Sequence, residues 1–186
     1  MPRADAQRNL DALLDAAKAE FAERGVDVSV RAIAARAGVG TATLYRHFPQ
    51  RSDLVAAVFR REIDACAAAA PELAATHPPD EALELWLQRY TEFVATKHGL
   101  AASLHSGDPA FSALPAYFSE HLGPALADLL GAAERDGSIR GDLDPIDLLG
   151  TVANLCISPP GVDDPTRAHR MVGLLLDGLR YRARER

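Results

Sequence analysis

Between Ser29 and Phe48 two short amphipathic segments are separated by only Gly38, Val39 and Gly40. Two helices joined this tightly must cross at a steep angle rather than continue as one rod. Ser29 is placed to cap the first, with Val28 and Ile33 in the positions of a hydrophobic staple. That helix runs from Val30 to about Ala37 and stops at Gly38, the residue type that tolerates positive φ at a helix end. The next begins near Thr41, capped by Gly40 or Thr41, and reaches Phe48 before Pro49. Ala34 is small where the two helices come closest, and Val39, Leu44 and Phe48 face inward. At about 100° per residue, Leu44 and Phe48 share one side of the second helix, which leaves Ala42, Thr43 and Arg46 outward and Thr41, Tyr45 and His47 on the flanks. This is the geometry of a helix-turn-helix.

Charge supports a polar partner at that surface. The chain of 186 residues has a net charge of −6, but residues 1–60 hold nine Arg/Lys against seven Asp/Glu, a net of +2, and residues 61–186 hold eleven against nineteen, a net of −8. From Ser29 to Ser52 there are Arg31, Arg36, Arg46 and Arg51 and no acidic residue. A local cationic field in an acidic protein is what phosphate binding needs.

The remainder reads as helix, with no alternating strand pattern. A helix over Asn9–Arg24 ends at Gly25 and precedes the crossed pair. A fourth starts near Arg51 and runs past Cys66 to the alanines before Pro71, and PELAATHPPD is expected to be a loop. Further helices are expected over Asp80–Thr96, Gly99–His105, Pro115–Asp136, Asp144–Ile157 and Arg167–Arg184, with Asp144 before Pro145 as an N-cap. The fold class is therefore all-α. Asp5, Asp11 and Asp15 interrupt what a signal peptide would need, and no apolar run approaches the roughly 18 residues of a spanning helix, so a cytoplasmic location without membrane attachment is expected. Cys66 and Cys156 form no CxxC or Cys/His cluster and read as reduced, buried thiols.

From Val28 to Phe59, VSVRAIAARAGVGTATLYRHFPQRSDLVAAVF resembles the DNA-binding motif of the TetR family of transcriptional regulators. The spacing from Ile33-Ala34 through Gly38-Val39 to Leu44-Tyr45-Arg46-His47-Phe48, then Arg51 and Leu54, matches throughout. One departure is Gly40, where many members carry a serine or another polar residue. The helical remainder, with KHGLAASLHSGDPAF and the final LLLDGLR, is similar to the family's effector-binding and dimerisation domain. The resemblance implies an N-terminal three-helix helix-turn-helix DNA-binding domain over residues 1–50, joined to a larger helical ligand-binding and dimerisation domain over 51–186. It further implies a homodimeric repressor, released from a palindromic double-stranded operator by a small-molecule effector.

Site residues follow from both readings. Arg46 suits a bidentate pair to guanine and the Ala42 methyl suits thymine, while Thr41 lies at the end that enters the major groove and Tyr45 meets a base or the backbone. Thr43, His47 and Arg51 are the phosphate candidates, as the resemblance also implies, and Ser29 adds contacts from a helix N-terminus. In the C-terminal region, Trp86, Tyr90, Phe93, Leu104, Phe118 and Asn154 are either plain core or the lining of a ligand cavity. Two late helices carry the apolar faces Ile146, Leu149, Val152, Ala153, Cys156 and Met171, Leu174, Leu175, Gly178, Leu179. These faces cover the protomer's own core or, given the resemblance, form a four-helix dimer interface through Leu149, Val152, Ala153, Met171, Leu174, Leu175 and Gly178.

His98 and His105 are seven apart, but Gly99 and the lack of a nearby carboxylate pair argue against a metal site, and no cofactor is expected. An enzyme is not expected either: no nucleophile with a paired base, carboxylate dyad or phosphate loop is present. The alternative to a ligand-released repressor is a helix-turn-helix protein acting as a partner-binding module or as a ligand-independent regulator.

Overall fold

The computed structural model describes residues 2–104, 106–157, 164 and 166–183, and for 2–4, 96–103 and 182–183 it describes the backbone alone. Its helices are α1 (Pro2–Arg24), α2 (Val30–Arg36), α3 (Thr41–His47), α4 (Arg51–Thr76), α5 (Pro79–Leu104), α6 (Leu114–Arg135), α7 (Pro145–Leu155) and α8 (Arg167–Ala183), with one 3₁₀ turn at Pro109–Phe111. No strand occurs among the described residues, so the all-α expectation holds.

The chain divides into two compact units, one of residues 1–62 with 96–115 and the other of 63–95 with 116–186. In the first, α1 buries Leu13, Ala16, Ala17 and Phe21 at spacings of one turn, and α4 contributes Leu54, Val55, Val58 and Phe59. The turn between α2 and α3 is closed by local bonds: Val39 N–H donates to Ala34 O at 3.0 Å and Gly38 N–H to Ala35 O at 3.1 Å. This Schellman pair requires a left-handed residue, and Gly38 has φ +69. Ser29 caps α2 as expected, its Oγ accepting from Ala32 N–H at 3.2 Å. At α3 the cap is Gly40, which has no side chain to offer.

The second unit is organised by α5. Trp86, Tyr90 and Phe93 are buried in succession, with ring centroids 5.8 Å and 5.7 Å apart. Phe118 of α6 closes the group, 5.9 Å from Phe93 and 6.3 Å from Tyr90. The same unit buries Leu122, Leu126 and Leu129 of α6, Leu148, Leu149 and Val152 of α7, and Val172, Leu176 and Leu179 of α8. Cys66 is buried as expected, whereas Cys156, at the C-terminal end of α7, is only half-buried. Asp144 caps α7 by accepting from Ile146 and Asp147 N–H at 2.8 Å and 2.9 Å, with Pro145 in the first turn.

Two expected helix ends are corrected. α4 does not stop before Pro71 but continues to Thr76. A proline in a helix interior removes one bond and crowds the carbonyl four residues back. Here Ala69 and Ala70 are buried, and the Trp86 indole donates to Cys66 O at 2.9 Å on the same stretch, so tertiary packing outweighs the local penalty. Nor is there a separate helix at Gly99: α5 runs unbroken to Leu104, since one interior glycine costs only about 1 kcal/mol. His105 lies outside the described residues.

Candidate nucleic-acid interface

The outward side of α3 is assembled from the bottom by burial of Leu44 and Phe48, which leaves Thr41, Ala42, Tyr45, Arg46 and His47 exposed and Thr43 half-buried. Tyr45 is 55% exposed, a large aromatic ring left in water on α3. The Arg46 guanidinium lies 3.5 Å from Thr43 Oγ1, a contact too long to lock it. These six side chains make up the side of α3 that the protein's own core leaves uncovered.

Electrostatics modify the reading of the basic stretch. Arg36 holds Glu23 through two bonds of 2.8 Å and reaches Glu20 at 3.2 Å. The Glu23 carboxyl is held below its ordinary value by the bond from Arg36, and Arg36 is pushed above its own by the same partner. So α1 supplies the acids that the Ser29–Ser52 window lacks, and Arg36 is neutralised. Buried Glu20 has one oxygen near Arg24, at 3.2 Å, without hydrogen-bond alignment. Arg31 and Arg46 remain exposed.

Two further candidates have internal partners. Ser29 spends its hydroxyl on the α2 cap. Arg51, half-buried at the start of α4, donates through Nη1 to Val26 O and through Nη2 to Val28 O, the latter at 2.8 Å. This role was not visible in the spacing, because a guanidinium on backbone carbonyls leaves no residue-type signature. Beside α3, a groove of about 570 Å³ is lined by His47, Pro49, Asp53, Arg60, Pro109 and Ala113 among others.

Two family models match the chain: "Bacterial regulatory proteins, tetR family" over residues 13–58, and "Transcriptional regulator SbtR-like, C-terminal domain" over residues 78–181. Among solved structures, a TetR transcriptional regulator from Streptomyces coelicolor is 35% identical, with a TM-score of 0.77 over 91% of this chain and 97% of that one. The chain belongs to the TetR family. A TetR transcription regulatory protein from Mycobacterium vanbaalenii is 34% identical, with a TM-score of 0.73 over 97% of this chain and 99% of that one. An HTH-type transcriptional regulator of Staphylococcus aureus is 41% identical over 63 residues, which is 33% of this chain and 34% of that protein. The alignment thus spans about a third of that relative's length. The fold and domains are those of a TetR-type DNA-binding transcriptional regulator, and TetR-family regulators bind operator DNA, form dimers and bind small-molecule ligands.

In this TetR-family chain the C-terminal candidates fall into distinct places. Trp86, Tyr90, Phe93 and Phe118 are brought together in the ring stack, with Tyr90 O–H donating to Leu149 O at 3.3 Å and its pKa raised by burial. Asn154 is exposed on α7, and Leu104 belongs to the first unit. Of the dimerisation set, Leu149 and Val152 turn into the protomer's own core. Leu174 and Gly178 are exposed, and Ala153, Met171 and Leu175 are half-buried. Tyr181 at 67% and Ile157 at 55% exposure join them, though neither stood out in the sequence. No group of His, Cys, Asp and Glu that could hold a metal occurs among the described residues, and no described helix is long and apolar enough to cross a membrane.

Proposed function

We propose that this chain is a cytoplasmic, homodimeric repressor that reads a palindromic operator through α3 and is released from it by a small-molecule effector. The observation that carries the reading is the α3 surface, where Tyr45 and Arg46 stand exposed beside Thr41 and Ala42 on a helix pinned by Leu44 and Phe48. An exposed arginine matches the N7 and O6 acceptors of guanine, and a methyl group matches thymine. Residues 1–50 do the reading, and 51–186 do the dimerisation and effector binding.

Pairing of two copies is supported by Leu174, Tyr181 and Ile157, large apolar side chains that a lone protomer leaves in water. A two-fold dimer presents two copies of α3, and their spacing sets the half-site separation at about one helical turn, roughly 34–36 Å. The effector acts by population shift: it binds best to a conformation in which the two α3 helices no longer match successive grooves. A coupling of about 1–3 kcal/mol changes operator affinity some 5- to 150-fold. The ring stack of Trp86, Tyr90, Phe93 and Phe118 favours an apolar effector that would intercalate or displace a ring.

Selection of duplexes from a randomised pool by the purified protein tests the reading. Enrichment of an inverted repeat supports it; a pool that stays random after repeated rounds contradicts it.

A further inference from the structure

We infer that Arg51 is a positioning residue: its guanidinium is a clasp that fixes the entry of α2 to the start of α4 and thereby sets the aim of α3. The inference rests on the reading of α3 as the DNA-facing helix and departs from the expectation that Arg51 itself touches phosphate.

The geometry is specific. Val26 and Val28 lie in the loop between Gly25 and Ser29, where the carbonyls have no helical partners. Arg51 is the first residue of α4, 25 and 23 positions further on, and takes both carbonyls with its two terminal nitrogens. A planar fork suits two acceptors at once in a way that a lysine ammonium does not. Everything that forms the reading unit lies within the loop this clasp closes: α2, the Gly38 turn, α3, Pro49 and Gln50. At its far end the same loop is anchored by Asp53, whose carboxylate accepts from Gln50 N–H at 2.9 Å.

The clasp therefore restrains α3 from both sides. Its entry follows α2, whose start is tied to Arg51, and its exit leads in three residues to Arg51 itself. Donors directed at Val26 and Val28 are turned to the protein, and the side chain is half-buried. Removing the clasp releases two loop carbonyls to water and leaves α2 and α3 free to tilt against α1 and α4. Phosphate attraction, which depends on exposed charge, is largely preserved, whereas base readout, which depends on α3 geometry, is degraded.

The test uses full-length wild type, Arg51→Ala and Arg51→Lys. In the free proteins, amide exchange across residues 26–33 is followed by mass spectrometry, with α6 as an internal reference. Binding is then measured over a range of salt concentrations to a duplex the wild type selects from a randomised pool and to a random duplex of equal length. Arg51→Ala is expected to speed exchange at 26–33 at least about tenfold with α6 unchanged. It is also expected to weaken the selected duplex about tenfold or more while the random duplex changes less than about threefold, and to leave the slope of log K against log salt intact. Arg51→Lys, which keeps the charge and reaches one carbonyl at a time, shows a smaller loss in the same direction.

Unchanged exchange in Arg51→Ala overturns the inference, as does a slope lower by about 0.9 with equal losses on both duplexes, the mark of a phosphate contact. A merely structural role moves the melting temperature but not the ratio of selected to random binding in the folded protein. Should Arg51→Ala not fold, Arg51→Lys decides alone, and wild-type behaviour of that variant in both readouts overturns the clasp. If the wild type selects no duplex, the DNA reading of α3 fails, while exchange still judges the clasp.

Discussion

Arg36 and Glu23 are joined by two parallel bonds of 2.8 Å, so that α2 is held to α1 by a bidentate ion pair at the edge of the reading head. Glu20, 13 and 16 residues being the separations of Glu23 and Glu20 from Arg36, adds a third contact from a buried position. The arginine thus organises the helices instead of adding free positive charge to the surface proposed to meet DNA.

This pair has a pH signature. The folded-state pKa of Glu23 is depressed below its ordinary 4.5, with the bond from Arg36 as the largest cause. A depressed carboxyl contributes stability that is present above the unfolded pKa and lost as pH falls through the folded one. Acid unfolding of the wild type is therefore steeper below about pH 4.5 than that of Glu23→Gln, and the two converge in slope above it. Circular dichroism at fixed urea across pH 2–6 checks this; parallel curves would exclude the pair as a contributor.

Gly38 and Gly40 flank the same turn but respond oppositely to a side chain. At φ +69, Gly38 sits where L residues are strained, so Gly38→Ala lowers stability by about 1 kcal/mol even though no atom lies within 4 Å of the added Cβ. Gly40 has φ −73 and ψ 148, and a Cβ there meets open space. Gly40→Ser supplies the missing cap and raises stability by a few tenths, about 0.3 kcal/mol. Urea midpoints of both variants decide the matter.

Trp86 is the chain's one tryptophan, fully buried and stacked on Tyr90. Trp86→Phe keeps an aromatic ring but removes the donor to Cys66 O and opens some volume, a loss of about 1–3 kcal/mol. Chemical denaturation measures it. The wild type's emission is expected to be blue-shifted when folded, since Trp86 is fully buried, and an effector entering the ring stack is expected to change its intensity.

Leu174 is 64% exposed on α8, and Tyr181 lies two turns further along the same helix. Leu174→Glu places a charge in the proposed interface, where its burial in the dimer costs several kcal/mol. Sedimentation should shift from a dimer toward the 19.9 kDa protomer, with operator binding lost at the same concentrations. A variant that stays dimeric would move the interface away from α8.

Much of the reading head was legible because its signals are local. Ser29, Gly38 and the spacing of Ile33, Leu44 and Phe48 act within a few residues, and each is found in its expected role. What was not legible depends on distant partners. Pro71 reads as a helix end until Trp86 and the buried alanines around it are in place. Four arginines without nearby acids read as a cationic field until α1 brings Glu20 and Glu23 to Arg36. Periodicity alone likewise finds the apolar faces of α7 and α8 but not what covers them: Leu149 and Val152 are covered by the protomer, and Leu174 is not.

The central claim is that α3 reads bases, with Arg46 as a principal contact. Fluorescence anisotropy against the duplex selected by the wild type, titrated at several salt concentrations with Arg46→Ala in parallel, tests it most directly. The account predicts saturable, salt-sensitive binding at least about a thousandfold tighter than to random duplex. It also predicts a loss of about 1–3 kcal/mol on substitution, concentrated at one base position of each half-site. Equal affinity for selected and random duplexes, unaffected by Arg46→Ala, would contradict it.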